Sequence, residues 1–184
     1  MDKRIRILKE NPLGTRPDWN EYFMHIAISV ASRASCFNVH AGTVIVSNNQ
    51  IISTGYNGAP PRIRDNCLKT GCRKELKGLL YEESLGSGEC VGVHSEMNAL
   101  NHLTKLGAKN ISVYTTIFPC HTCAKNLLSF DVEKIVFKKL YSEKEIISTL
   151  DMLDEASINI YQLDLSKERD MDIRYNRKAI YGVW

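Results

Sequence analysis

Two short motifs, His94-Ser95-Glu96 and Pro119-Cys120-His121-Thr122-Cys123, constrain this chain more than anything else in it. One imidazole and two thiols form a borderline-to-soft donor set, suited to a tetrahedral zinc with its fourth position left for water. Three ligands from two separated segments require a fold that brings those segments to one point. Glu96 lies two residues from the ligand histidine, within reach of a proton on water held at such a metal. Zinc can bring that water to a pKa of about 7, which makes hydroxide available at neutral pH. A C-x-x-C pair alone is common in structural and redox sites, and a lone His-x-Glu says little. A thioredoxin-like reading leaves both His94 and Glu96 without a role.

The chain has 184 residues, enough for one domain with a sizeable core. Its formal charge is +3 with the basic residues dispersed, which does not call for a nucleic-acid partner and would not repel a phosphorylated small molecule. No apolar run approaches the ~18 residues of a membrane span. Residues 1–14, MDKRIRILKENPLG, lack the apolar core of a secretory signal. The expected address is cytoplasmic, where thiols stay reduced, so the six cysteines read as ligands before they read as disulfides.

Residues 1–17 form a basic lead-in in which Pro12, Gly14 and Pro17 discourage regular structure. Asp18 resembles a helix N-cap with Glu21 as its capping-box partner, and Trp19, Phe23, Ile26 and Val30 follow as a stripe to be buried. Residues 43–46 and 51–54 are β-rich runs around Ser47-Asn48-Asn49-Gln50, a hairpin. From Gly55 to about Gly92 the chain is irregular and carries Cys67, Cys72 and Cys90, a loop long enough to need a function or a staple. A helix is expected from the metal ligand at Ser95, a strand at 111–116, a helix over 120–130, a strand at 135–137, a helix over about 143–156 and a strand at 158–161. The domain extends over 18–165, and 166–184 is a tail or interface segment. This alternation predicts a layered α/β domain in which helix N-termini meet at the metal, their positive ends favouring thiolates.

The H-x-E…P-C-x-x-C order is the known signature of zinc nucleobase deaminases. Beyond it, residues 19–24 (WNEYFM), 41–46 (AGTVIV), 55–60 (GYNGAP), 94–99 (HSEMNA) and 119–125 (PCHTCAK) resemble the deoxycytidylate (dCMP) deaminases, a group that includes the late-competence-operon deaminase-like proteins. The resemblance implies a cytidine-deaminase-like fold, a central five-stranded mixed sheet flanked by helices. It implies hydrolysis of dCMP to dUMP and ammonia by a zinc-activated hydroxide, supplying dUMP for thymidylate synthesis, with Glu96 moving protons among water, N3 and the leaving amine. It further implies a homo-oligomer, commonly a hexamer, activated by dCTP with Mg²⁺ and inhibited by dTTP. It places Asn57 on the sugar or base edge, or leaves it as a turn residue before Gly58. It places Phe118 and Tyr141 along the base pocket, or in the core. Two departures stand out: Ser95 replaces the usual small residue between His and Glu, and Ala41-Gly42-Thr43 replaces a Val-Gly-Ala turn.

Four cysteines remain. Cys67 and Cys72 have ligand-like spacing, with Gly71 letting the backbone turn. Some microbial and phage relatives carry a second, structural zinc, and Cys36 and Cys67 resemble its ligands. Cys36, Cys67, Cys72 and Cys90 form the candidate set, unless some are buried hydrophobes or His40 replaces one of them. Arg33, Arg62 and Arg64 are candidates for a 5′-phosphate by charge alone. Two other functions fit the motifs: a deaminase of nucleic acid such as tRNA, which needs basic, aromatic surfaces, and a catalytically idle zinc protein, which would have no use for Glu96.

Overall fold

Along the central strands apolar side chains alternate between two faces, and each face is covered by helices. The computed structural model describes residues 2–11, 16–63, 67–79, 88–103, 107–141 and 146–165. Its strands are β1 (Ile5–Lys9), β2 (Gly42–Ser47), β3 (Gln50–Tyr56), β4 (Ile111–Ile117), β5 (Val132–Lys139) and β6 (Asn159–Asp164). Its helices are α1 (Trp19–Ala31), the single turns α2 (Cys67–Thr70) and α3 (Arg73–Leu76), α4 (Ser95–Asn101), α5 (His121–Leu127) and α6 (Ile147–Glu155). The six strands form one sheet in the order β1-β6-β5-β4-β2-β3. β2 is antiparallel to β3 and β4, while β4, β5, β6 and β1 run parallel.

Val44, Val46, Tyr114 and Val136 face one way and pack with Phe23, Met24, Ala27 and Ile28 of α1. Ile45, Val113, Ile135 and Phe137 face the other way and pack with Ala99, Ala124, Leu127 and Leu150 of α4, α5 and α6. The period-two register thus divides the core into two layers, and the three-layer α/β expectation holds. Asn48 and Asn49 both adopt positive φ, the geometry of a type I′ turn, which closes the β2–β3 hairpin.

The sheet has six strands where five were expected. The sixth, β1, lies inside the segment read as an irregular lead-in and pairs in parallel with β6, Ile5 opposite Ile160. Its prolines and glycine all follow the strand, and Ile5 is buried while the next two residues are exposed. An edge strand of five residues with one anchoring side chain leaves no strong local pattern.

The capping box on α1 is as expected: Glu21 N–H donates to Asp18 Oδ1 at 2.8 Å and Asp18 N–H to Glu21 Oε2 at 2.6 Å. The buried stripe is rotated from the expected one. Trp19 is 49% exposed, and Phe23, Met24, Ala27, Ile28 and Ala31 carry the contact with the sheet. Trp19 instead stacks on Phe23 at 5.5 Å between ring centres. Small Ala27 and Ala31 let the helix sit close on Gly42, where an added Cβ would meet the Ala27 carbonyl oxygen at 2.1 Å. Among the described residues no helix is long and apolar enough to cross a membrane. The segment 166–184 and Arg64 lie outside the described residues.

Candidate active site

α4 and α5 both begin at a ligand. His94 is the N-cap of α4 and Cys120 the N-cap of α5, each in extended conformation, with Cys123 on the first turn of α5. α4 is entered from an isolated antiparallel bridge between Gly58 and Val93 rather than from a full strand. α5 follows β4 directly after Phe118 and Pro119. Gly55 lets β3 and α4 touch through their backbones, and Asn98 Nδ2 donates to the Tyr56 carbonyl at 2.7 Å. These contacts bring His94 to the end of β4.

His94 Nδ1 lies 3.4 Å from Cys120 Sγ and 3.4 Å from Cys123 Sγ. Tetrahedral zinc with Zn–N and Zn–S bonds of usual length separates nitrogen and sulfur by about 3.5 Å, so both distances from His94 to the thiols fit that ion. They are the one His/Cys/Asp/Glu group among the described residues whose ligand atoms all lie within 4.8 Å of one another. Cys123 is buried, while His94 and Cys120 open to solvent. The cluster therefore has a closed inner side and an accessible outer one.

The thiols divide their charge unequally. Cys120 is pushed down to about 4, first by the Cys123 thiol that donates to it and then, against desolvation, by His94. Cys123 is driven upward because it keeps its proton beside that thiolate and is buried. His94 is raised, chiefly by its hydrogen bond to Cys120, with burial opposing. A cation held here would have to displace protons from Cys123 and His94 but not from Cys120.

Glu96 is only 5% exposed, and burial pushes its carboxyl above the usual range, opposed by its own backbone N–H and by His94. Its Oε2 accepts from Ser95 Oγ at 3.1 Å. Ser95 Oγ is 2.9 Å from Thr43 Oγ1, which is 3.1 Å from Thr115 Oγ1. Thr115 Oγ1 in turn donates to the Ile117 carbonyl at 3.0 Å. Sequence reasoning named Ser95 and Thr43 only as departures from a pattern and did not see that they touch. It also missed Lys74, which is 5% exposed on α3 and lies near enough for its charge to act on His94.

Asn57 is committed to backbone. Its Oδ1 accepts from Ala41 N–H at 2.8 Å and its Nδ2 donates to the Val39 carbonyl at 2.8 Å, so the side chain fixes the loop before β2. Phe118 is 5% exposed and packs edge-on against Phe137 at 5.0 Å, in the core beneath α5. Tyr141 is 40% exposed just after β5. Arg33 and Arg62 are exposed.

The four remaining cysteines are unpaired: Cys36 and Cys67 half-buried, Cys72 buried, Cys90 exposed. The Cys67 thiol is raised mainly by burial and further by Cys36, Cys72 and Cys90, which places all four in one neighbourhood. They are not gathered as tightly as the first cluster. His40 Nε2 lies 2.9 Å from the Cys36 carbonyl oxygen, on the same loop.

Residues 17–139 match the family model for the cytidine and deoxycytidylate deaminase zinc-binding region. The deoxycytidylate deaminase of Mycobacterium phage D29 is 34% identical over 128 residues, 68% of this chain and 98% of the relative. That of Saccharomyces cerevisiae is 32% identical over 155 residues, 83% of this chain and 47% of the relative, so the chain spans about half of that protein's length. The crystal structure of dCMP deaminase from the cyanophage S-TIM5, in complex with dCMP and dUMP, has a TM-score of 0.62 at 23% identity, covering 82% of this chain and 99% of that one, which shows a shared fold.

Proposed function

The chain belongs to the cytidine and deoxycytidylate deaminase family, and on that premise we propose that it hydrolyses dCMP to dUMP and ammonia, supplying dUMP for thymidylate synthesis. One observation carries this reading: a buried carboxyl, Glu96, stands beside a His/Cys/Cys cluster spaced for zinc and open to solvent on one side. Zinc, when bound, supplies a Lewis acid that makes water a nucleophile at neutral pH.

The chain's own residues do the rest. His94, Cys120 and Cys123 would hold the ion, Cys123 from the buried side of the cluster and His94 and Cys120 from its open side. Glu96 has its proton affinity raised by burial, which suits a group that takes one proton from water and passes it to N3, then takes a second from the hydroxyl added at C4 and passes it to the departing amine. Asn57 shapes the loop in front of β2 through Val39 and Ala41 and keeps a second amide N–H for the sugar or base edge.

The reading extends to a second, structural zinc at Cys36, Cys67, Cys72 and Cys90, supported by the upward push that the other three thiols exert on Cys67. It also extends to a cytoplasmic homo-oligomer, a hexamer, with dCTP and Mg²⁺ as activators and dTTP as inhibitor.

Deamination assays on dCMP, CMP, dCTP, deoxycytidine and single-stranded DNA test it, each with and without dCTP and Mg²⁺ as effector. dCMP is expected to be the best substrate. Deoxycytidine should fall short by about two orders of magnitude in kcat/KM, about 3 kcal/mol, because charge-assisted bonds to the phosphate are lost. Dependence on dCMP should be sigmoidal and become hyperbolic when dCTP is added. Equal use of deoxycytidine and dCMP would move the chain to the nucleoside deaminases, and preference for DNA would move it to the nucleic-acid group.

A further inference from the structure

We propose that the hydroxyls of Ser95 and Thr43 are positioning residues that hold the Glu96 carboxyl in one orientation. The proposal rests on the deaminase reading of this site and concerns how its proton carrier is held. Ser95 and Thr43 are direct partners, 2.9 Å apart, although 52 residues separate them. Both side chains are fully buried, and Ser95 continues the contact to Glu96 Oε2. Thr115, also fully buried, extends the line to the Ile117 carbonyl.

The chain of contacts has an acceptor at each end and three hydroxyls between. Ser95 donates to Glu96 Oε2, and Thr43 Oγ1 holds the Ser95 hydroxyl from behind, itself braced by Thr115. Glu96 is thereby fixed through one oxygen, which accepts from Ser95 whether or not the other oxygen carries a proton, so its carboxyl need not swing. A carboxyl pre-set in this way avoids reorientation at the moment of reaction. An alanine at position 95 would leave Oε2 without its Ser95 partner and free the side chain to rotate.

The test compares S95A, T43V, T43S and the S95A/T43V double variant, all zinc-loaded. Zinc content and melting temperature check that each variant is folded and metallated. S95A should lower kcat for dCMP about tenfold with KM within about twofold of the parent. T43V, isosteric but without the hydroxyl, should lower kcat about threefold, and T43S should restore most of that loss. The double variant should lose no more than S95A alone, since both substitutions cut one line. A crystal structure of S95A should show the Glu96 carboxyl in a second rotamer that T43S does not show. Parental kcat in S95A, loss confined to KM, or strictly additive losses would overturn the proposal. So would a Glu96 carboxyl that stays in place in S95A, a result independent of the substrate. Absence of dCMP turnover in the parent would instead reject the functional reading, with the crystallographic comparison still deciding the proposal.

Discussion

A methyl group on Gly55 would lie 2.3 Å from the carbonyl oxygen of Ser95 and 2.2 Å from the amide nitrogen of Ala99. β3 and α4 are therefore in backbone contact, and the helix that carries Glu96, capped by His94, is seated by that contact. Gly55→Ala must push α4 away from the sheet, because both obstructing atoms are backbone. The expected cost is about 3 kcal/mol, and a melting temperature lower by about 10 °C. Zinc affinity should fall with it, since His94 would move relative to Cys120 and Cys123. Calorimetric unfolding and metal titration check this; an unchanged Tm would mean that the helix is not seated there.

Glu96→Gln keeps the size of the side chain and leaves the three ligands alone. It should retain zinc and the fold while lowering kcat by about three orders of magnitude, since the amide cannot carry a proton. Metal analysis with steady-state kinetics on dCMP decides it. Near-parental turnover would remove Glu96 from the mechanism.

The ligand charges set how zinc affinity responds to pH. Cys120 is held at about 4, so above about pH 5 it gives up no proton to the metal. His94 and Cys123 are both raised, so in mildly acid solution each still holds a proton that zinc must displace. Affinity should therefore fall as pH falls, by about two powers of ten per pH unit between pH 5 and 6. Three ordinary protonated ligands would give a slope of about three. Chelator-competition titrations across that range measure the slope.

A second zinc predicts about two ions per chain. Cys67→Ser should lower the count by about one and reduce the melting temperature, because metal binding to an ordered site is also folding free energy. It should leave the zinc at His94, Cys120 and Cys123 in place. A single zinc per chain, unaltered by Cys67→Ser, would remove the second site.

His94, Glu96, Cys120 and Cys123 were legible because their chemistry is encoded by residue type at short spacing, and because each of the two motifs begins a helix. The Asp18–Glu21 capping box and the Asn48-Asn49 turn were legible for the same reason: the interacting groups lie within three residues of one another. The alternation in β2, β4 and β5 revealed buried strands, since a two-residue period survives in any single strand. What the sequence by itself determined is thus the local structure and the inventory of reacting groups.

Tertiary structure decided the rest. β1 exists through its pairing with β6, far away in the chain, and its own five residues carry no alternation strong enough to announce it. The rotation of α1 that exposes Trp19 follows from the close seat of Ala27 and Ala31 on Gly42, a contact between elements. Asn57 looked like a ligand contact or a turn residue; only the folded loop shows its amide used on Val39 and Ala41. Thr43, Ser95 and Thr115 read as isolated small polar residues until the sheet and α4 bring their hydroxyls together. Contacts between distant segments impose no spacing on the sequence, so the hydroxyl line behind Glu96 could only be found once β2, β4 and α4 were in place.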